Sequence, residues 1–290
     1  AGFTVGGLDA HVSSEVIPSA GVSSSASFEM LVGTVVSHLF NGGGIDCATI
    51  ARAGQFAENH FWLKASGLMD QMACGVGGTI LLDFCDGARY QKVRFSLDDV
   101  GYDLVIVNTG RGHADLSAEY SAIPDEMHAV AHALGVEQLC QTSEDALLEA
   151  LPHLRRELGC DRAILRSFHF FEECRRVDEA AAALGAGDEG RVLDLMRASG
   201  NSSWKWLQNT VVPGSAQDQS IPLVLALTEL YLRRIGSGVC RVHGGGFAGV
   251  IMCALPKRET AGYVDFISSC VGRENVHPMG IRQAGAVRIC

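Results

Sequence analysis

The feature that most constrains the fold is a loop of small residues directly before a long apolar segment. Residues 18–27 read PSAGVSSSAS, and residues 28–40 read FEMLVGTVVSHLF. The second stretch predicts a buried helix, which the asparagine and glycines at 41–44 end. Gly21 permits a positive φ, so the following N–H groups are expected to point at the helix start, where the helix dipole adds roughly half a positive charge. The loop is therefore a candidate anion cradle, a flexible capping turn being the alternative.

The same loop supplies side chains as well as main chain. A serine hydroxyl can ligate Mg²⁺, and of the three serines Ser24 is taken as the candidate. The loop lacks the lysine of a Walker loop, so it is not that motif. The candidate phosphate-binding residues are Gly21, Val22, Ser23, Ser24 and Ser25.

A second glycine-rich loop lies late in the chain. Residues 242–256 read VHGGGFAGVIMCALP, and Gly244, Gly245 and Gly246 let a phosphate or another chain segment approach the main chain closely. A strand rather than a helix is predicted to follow, which excludes a dinucleotide-binding fingerprint. The alternative is a tight glycine hairpin between two buried strands.

Two acidic residues are candidates for chemistry. Asp70 lies in GLMDQMACGVGG at residues 67–78, and a carboxylate held in such an apolar stretch is a candidate general base for a hydroxyl. Glu58 lies on a predicted helix over 50–62, where a buried carboxylate needs a partner such as a divalent cation. A helix N-cap aspartate and a surface carboxylate are the respective alternatives.

The remaining pattern predicts an α/β chain, with mixed sheets flanked by helices. Short apolar runs at 79–84 and 103–109 predict buried strands, and helical patterns dominate from residue 118. A chain of 290 residues favours two domains, with the weak boundary in the loop Thr109–Ser117. We therefore expect a domain over 1–115 and a second over 116–290.

The first residues have the pattern of a strand already in progress. Phe3, Val5 and Leu8 are spaced as in a strand, and the strand-like pattern continues through Val12 to Ile17 without any start signal. We expect such a strand to pair with a segment that would precede Ala1.

Charge and cysteine usage narrow the partners and the compartment. Lys plus Arg total 23 and Asp plus Glu 33, which gives a net charge of −10 and argues against nucleic acid or an anionic membrane as partner. No apolar run reaches the roughly 18–20 residues of a membrane span, and residues 1–12 lack the basic and apolar regions of a signal peptide. Ten scattered cysteines without a CxxC pair predict reduced, buried thiols of a cytoplasmic protein rather than a disulfide framework.

Taken in order, these segments resemble the galactokinases of the GHMP small-molecule kinase superfamily. PSAGVSSSAS resembles the family's phosphate loop GxGLSSSAS, and AENHFWLKASGLMDQ resembles its AEN…CGIMDQ segment. HADLSAEY at 113–120 resembles HxLAxSxY, and HGGGFAGVIMCAL resembles the GGGFGG motif. The combination extends over almost the whole chain and implies the two-domain GHMP kinase fold, with an incomplete N-terminal, nucleotide-binding domain.

The resemblance implies ATP-dependent phosphorylation of a sugar, with galactose favoured and its anomeric hydroxyl as acceptor. It makes Asp70 the catalytic carboxylate, and Glu58 with a loop serine the Mg²⁺ ligands. Gly67 and Tyr120 match sugar-contacting positions, and Gly244–Gly246 match the third motif, which braces the phosphate loop. The implied partners are ATP, Mg²⁺ and a galactose-like sugar, in a monomer or weak homodimer.

The sequence also departs from the family pattern. Ser19 replaces a glycine of the phosphate loop, Ala65–Ser66 replace the pair before GLMDQ, and SAIPDEM follows Tyr120 in place of the family's Asn, Arg and Cys. The family's GRxNLIGEHTDY segment is absent from these residues; a natural chain lacking it is expected to be inactive, and one that carries it to be a kinase. A sugar and ATP sensor without turnover, or a GHMP kinase for another small molecule, are the alternatives.

Overall fold

The computed structural model describes residues 2–17, 21–62, 66–85, 87–110, 116–247 and 249–289. The chain divides into two compact units. The first unit contains residues 1–96 and 281–290, and the second contains residues 97–280. The domain boundary near residue 115 concerns the family's two domains and stays a prediction.

Three helices and a hairpin form the first unit. Helix α1 (Ser24–Phe40), α2 (Cys47–Phe61) and α3 (Met69–Val76) precede the antiparallel strands β1 (Thr79–Asp83) and β2 (Arg89–Val93). Asp46 caps α2, because its carboxylate accepts from the N–H of Thr49 at 3.0 Å. The buried core that joins the helices consists of Met30, Ile50, Ala51, Met72 and Val76.

The predicted strand at the start of the chain is wrong. Residues 2–17 contain no strand, and the side chains of Phe3, Val5 and Leu8 are exposed. A strand exists only where a neighbour completes its hydrogen-bond ladder. Here a side chain takes that place, since Asn41 accepts from the N–H of Thr4 at 3.0 Å and donates to its carbonyl at 2.9 Å.

The second unit is built on a four-stranded antiparallel sheet in the order β4-β5-β3-β6. Helices α8 and α9 pack against this sheet, and the buried residues include Ile221, Ile251 and Tyr263. The elements are β3 (Tyr102–Asn108), α4 (Ser117–Ala133), α5 (Glu144–Leu158), α6 (Asp161–Ala186), α7 (Glu189–Ser202), α8 (Ser220–Ile235), β4 (Val239–Val242), β5 (Val250–Pro256), α9 (Thr260–Val271) and β6 (Val276–Met279).

The structure also bears on the expectations about membrane spans and about cysteine burial. Within the described ranges, no helix is both long and apolar enough to cross a bilayer. The cysteines are not uniformly buried as predicted. Cys240 and Cys253 are buried in the sheet, whereas Cys85, Cys174 and Cys270 are exposed. Cys85 lies between β1 and β2, and Cys174 and Cys270 lie on α6 and α9.

Candidate active site

The loop Gly21–Ser25, called the serine loop below, contacts Asp70 at the start of α1. Gly21 and Ser23 have positive φ values of 68° and 50°, which turn the chain into the helix. The hydroxyl of Ser23 donates to Oδ2 of Asp70, 47 positions later in the chain. Ser23 makes no side-chain cap to the helix, so the first-turn N–H groups keep their capacity to bind an anion.

Asp70 itself is exposed, whereas the sequence predicted an apolar environment. It lies in the first turn of α3, whose next two residues, Gln71 and Met72, are buried. Since successive helix positions point about 100° apart, the helix buries its neighbours and presents Asp70 to solvent. Gly67 precedes this helix, and a Cβ added there would meet no other atom within 4 Å.

Glu58 lies on the buried face of α2 and has an amide partner. It is only 4% exposed, so the surface alternative is excluded. The side-chain Nε2 of Gln71 lies 3.4 Å from Oε2 of Glu58 and 3.1 Å from Oε2 of Glu29. The amide thus links two carboxylates from α1 and α2.

Gln71 and Glu29 were not assigned a role from the sequence. The signal that was available for Glu29 is a charged residue within the apolar stretch FEMLVGTVV, which requires a polar partner if that face is buried. Gln71 is 1% exposed, and its Oε1 has no hydrogen-bond partner among the described residues. A buried amide oxygen without a partner is costly, so this one indicates a polar ligand or a water.

The oxygen atoms near Glu58 fit a magnesium ion chemically. Carboxylate, amide and hydroxyl oxygens are the donors that Mg²⁺ prefers, and nitrogen or sulfur ligands are not needed. The buried carboxylate of Glu58 and the unpartnered Oε1 of Gln71 supply two of these types. No described set of three or more His, Cys, Asp or Glu side chains could hold a metal.

The second glycine loop is the turn of the β4–β5 hairpin. The N–H of His243 donates to the carbonyl of Val250 at 3.0 Å, which closes the hairpin. Gly244 and Gly246 have φ values of 66° and 79°, and Phe247 has a φ of 57°. The predicted hairpin alternative therefore describes the fold correctly, and it leaves the phosphate-binding role open.

Tyr120 packs on this loop within the second unit. Its hydroxyl donates to the carbonyl of Gly246 at 3.0 Å, and a Cβ at Gly245 would overlap its ring. Its ring also meets that of Phe247 edge to face, with 5.6 Å between centroids. Burial raises the pKa of Tyr120, so its hydroxyl keeps its proton and acts as a donor at neutral pH.

The structure therefore brings the predicted residues together in two groups. Ser23 contacts Asp70 in the first unit, and Tyr120 contacts Gly245 and Gly246 in the second. Ser19, Ala65 and the first three residues of HADLSAEY, at 113–115, lie outside the described residues. Asn209, which also bonds to the second loop, was missed because no local pattern marks it.

Backbone strain is concentrated at these loops. In the part of the chain that the structure describes, three residues other than glycine have positive φ, namely Ser23, Gln208 and Phe247. A left-handed conformation costs an L-residue roughly 1–2 kcal/mol, and such residues cluster at functional sites. Ser23 lies in the serine loop, Phe247 in the glycine loop, and Gln208 directly before Asn209.

Known proteins that match this chain include the segment that contains the serine loop and Asp70. Residues 1–78, which include the serine loop and Asp70, match the family of GHMP kinases N terminal domains. A galactokinase from Actinobacillus pleuropneumoniae serotype 5b (strain L20) is 31% identical over 251 residues, which are 86% of this chain and 62% of that protein. Residues 1–78 are thus similar to the N-terminal domain of GHMP kinases, and most of the chain is similar to galactokinases.

A second similar protein is also a galactokinase. The galactokinase of Glaesserella parasuis serovar 5 (strain SH0165) is 32% identical over 254 residues, which are 87% of this chain and 62% of that protein. This chain thus spans less than two thirds of the length of these curated relatives.

Solved structures confirm the GHMP kinase fold. Lactococcus lactis galactokinase complexed with galactose matches with a TM-score of 0.74 at 23% identity, over 93% of this chain and 68% of that one. Mevalonate kinase from L. major in complex with R-mevalonate matches with a TM-score of 0.60 at 16% identity, over 94% and 69%. The predicted combination of helices and sheets is therefore correct. The sheets were predicted to be mixed, whereas the named strand pairs of the described residues are antiparallel.

Proposed function

We propose that this chain carries the catalytic groups of an ATP-dependent sugar kinase that transfers the γ-phosphate of ATP to the anomeric hydroxyl of galactose. The observation that carries the proposal is the contact between Ser23 and Asp70. It joins a helix N-terminus suited to phosphate with a carboxylate suited to a hydroxyl. The identity to galactokinases supports the choice of sugar.

The main chain of the serine loop receives the phosphates in this proposal. The N–H groups from Val22 to Ser25 stand where the α1 dipole is positive, which favours the triphosphate despite the chain's net charge of −10. We also propose that a phosphate group binds close to the main chain of Gly244–Gly246, where no side chain is in the way. Phosphoryl transfer needs positioning and charge stabilisation more than covalent chemistry from the protein.

Asp70 is the proposed base for the sugar hydroxyl. Ser23 donates to Oδ2, so we assign Oδ1 to the hydroxyl proton. As the proton moves to Asp70, the sugar oxygen bonds to the γ-phosphorus and the bond to the bridging oxygen breaks, which releases ADP. Gly67 and Tyr120 remain the proposed sugar-contacting residues.

Magnesium completes the proposed site. Ser24 and Glu58 would hold the ion, and Gln71 would fix the orientation of the Glu58 carboxylate. When bound, Mg²⁺ neutralises charge on the phosphates and so favours transfer. The proposal also includes a cytoplasmic location and a monomer or weak homodimer; the free thiols of Cys47, Cys74, Cys160, Cys240, Cys253 and Cys270 support a reducing compartment.

The proposal predicts a specific defect in the Asp70→Asn variant. The amide cannot take the proton, so ADP release with galactose should fall at least about 100-fold. The Kd for Mg·ATP should stay within about twofold, since the phosphate-binding main chain is untouched. The measurement is ADP release across a panel of sugars, with calorimetric titration of Mg·ATP, on the natural polypeptide that carries these residues.

A matched control is Asp194→Asn, which changes an exposed aspartate paired with Arg197 on α7. It should leave both quantities unchanged. Unaltered turnover in Asp70→Asn would remove Asp70 from the mechanism. Binding of ATP and galactose by the wild-type protein without any ADP release would instead make the protein a sensor.

A further inference from the structure

The loop Gly244–Phe247, called the glycine loop, is held in place by Asn209, which lies outside the motifs described above. Asn209 is only 3% exposed and follows the π-helical turn Ser203–Leu207. Its side-chain Nδ2 donates to the carbonyl of Gly245 at 3.1 Å. Its own carbonyl accepts from the N–H of Phe247. Asn209 therefore bonds the loop at two points, once through its side chain and once through its main chain.

The fit between Asn209 and the loop leaves no room for a side chain. A Cβ added at Gly246 would overlap the main-chain oxygen and the side-chain amide of Asn209. Such a Cβ would force the hairpin tip away from Asn209, because the nearest atom belongs to main chain rather than to a flexible side chain. The contact with Asn209 thus requires a glycine at position 246.

A buried ion pair fixes the turn that carries Asn209. Arg166 is 1% exposed, and its Nε donates to the carbonyl of Leu207 at 3.1 Å. Its Nη1 lies 3.0 Å from Oε2 of Glu126 on α4. Gln208 then takes a φ of 58°, which directs Asn209 to the loop. The surroundings therefore hold a strained residue in place rather than let it relax.

The side chain of Asn209 is poorly suited to a role in stability alone. Its Oδ1 is buried and has no hydrogen-bond partner among the described residues. Loss of the amide would leave the Gly245 carbonyl without its donor, while the unpaired Oδ1 reduces what the bond contributes to stability. The bond restricts the main chain at the tip of the hairpin, which points to a role in placing the loop.

We infer that Asn209 is a positioning residue of the nucleotide site, which holds Gly245, Gly246 and Phe247 in the conformation that receives a phosphate group. The inference rests on the proposed function, because it assigns the glycine loop to ATP. It adds to that function a residue that touches the loop main chain and acts on the ligand through it.

The test compares Asn209→Asp with Asn275→Asp in the natural polypeptide. In Asn209→Asp the donor becomes an oxygen that faces the Gly245 carbonyl, while the volume is kept. Asn275 is the matched control, because its Nδ2 also donates to a carbonyl, that of Val271 at 2.7 Å, but at the end of α9. Titration calorimetry gives the Kd for Mg·ATP and for adenosine, and urea unfolding gives the stability.

The expected result is selective for the phosphates. Asn209→Asp should weaken Mg·ATP about tenfold and leave adenosine within about twofold, whereas Asn275→Asp should change neither. Asn209→Ala, which removes the donor without adding charge, should weaken Mg·ATP about fivefold and serves if the aspartate variant does not fold.

Three outcomes would overturn the inference. Folded Asn209 variants with wild-type affinity for Mg·ATP would remove Asn209 from the site and leave the proposed function standing. Equal weakening of Mg·ATP and adenosine, or an equal effect in the Asn275 variant, would assign Asn209 to general stability. A wild-type protein that does not bind Mg·ATP would refute the proposed function, and the inference with it.

Discussion

The two candidate loops differ in what the protein does with a strained residue. In the serine loop, the side chain of the strained residue Ser23 contacts the exposed Asp70. In the glycine loop, Phe247 is strained and buried, and neighbouring residues hold the main chain. The first loop therefore offers side-chain chemistry at the surface, and the second offers main chain fixed by Tyr120 and Asn209.

This difference predicts that the two loops respond differently to substitution. A change at Gly246 or Phe247 must be accommodated by packed neighbours, so it affects stability first. A change at Ser23 removes a contact with an exposed carboxylate, so it affects chemistry first. The predictions below test that contrast, beginning with the largest effect.

Gly246→Ala should produce the largest loss of stability. The added Cβ overlaps main chain of Asn209, and a φ of 79° is strained for alanine. We expect the free energy of unfolding to fall by about 3 kcal/mol in urea titrations, and Mg·ATP binding to be lost.

Gly244→Ala is the control within the same loop. Its φ of 66° is also positive, but a Cβ there meets no other atom within 4 Å. Only the backbone strain remains, which costs about 1 kcal/mol. Equal losses in the two variants would show that the contact with Asn209 does not restrict the loop.

The next largest effect should come from acid, which should lower the stability of the second unit around His169. Burial lowers the pKa of His169 on α6 to about 4, and its Nδ1 lies 2.9 Å from the hydroxyl of Ser202 on α7. The charges that face it are Glu173 and Arg176 on α6 and Arg241 on β4, the strand that leads into the loop. Because the unfolded chain takes up the proton near its usual pKa of 6.5, this stability is complete above pH 6.5 and is lost as the pH falls towards 4.

Urea unfolding between pH 7.5 and 4 measures this loss, which we expect to be at most about 3 kcal/mol from His169. Glu173 acts in the same direction. Burial raises its pKa, but the hydrogen bond from Ser199 and the charge of Arg241 outweigh burial and leave the pKa lowered. His169→Asn should flatten the profile between pH 6.5 and 4.5; an unchanged slope would mean that His169 is not the group responsible.

Ser23→Gly should have the smallest effect on stability and a clear effect on activity. Glycine adopts a φ of 50° without strain, so stability should stay equal or rise by up to about 1 kcal/mol. The hydroxyl that orients Asp70 is lost, and we expect ADP release to fall about tenfold.

Gln208→Gly relieves similar strain in the second unit, where φ is 58°, and keeps the Ser23–Asp70 contact. It should match Ser23→Gly in stability and keep wild-type turnover at saturating Mg·ATP, because any effect transmitted through Asn209 falls on Mg·ATP binding. If both variants lost turnover alike, the contrast between a chemical loop and a scaffold loop would be wrong.

Most helices and strands could be predicted, because their signals are local. The apolar runs at 79–84 and 103–109 are strands in the structure, within one residue of the predicted bounds. The pattern FFEECRRVDEAAAAL at 170–184 predicts a helix, and α6 begins nine residues earlier, at Asp161. The missed turns bury Arg166, Ser167 and His169, whose polar side chains disguise a buried face until their partners are known.

The site was predictable in its residue types and less so in its environments. The sequence pointed to Asp70, Glu58 and both loops as candidates. It placed Asp70 in apolar surroundings, whereas the structure exposes it. It left Glu58 either buried or at the surface, and the structure buries it. Successive positions of a helix point about 100° apart, so one can be exposed and the next buried, and composition alone does not define which side faces the core.

The sequence by itself determined where the chain turns, since glycine freedom, capping residues and apolar spacing act within a few residues. The tertiary structure decided which distant groups meet: Ser23 with Asp70, Gln71 with Glu58, and Asn209 with Gly245. Those pairs depend on how whole helices and strands pack. Packing is a property of the assembled core, and no short stretch of sequence contains it.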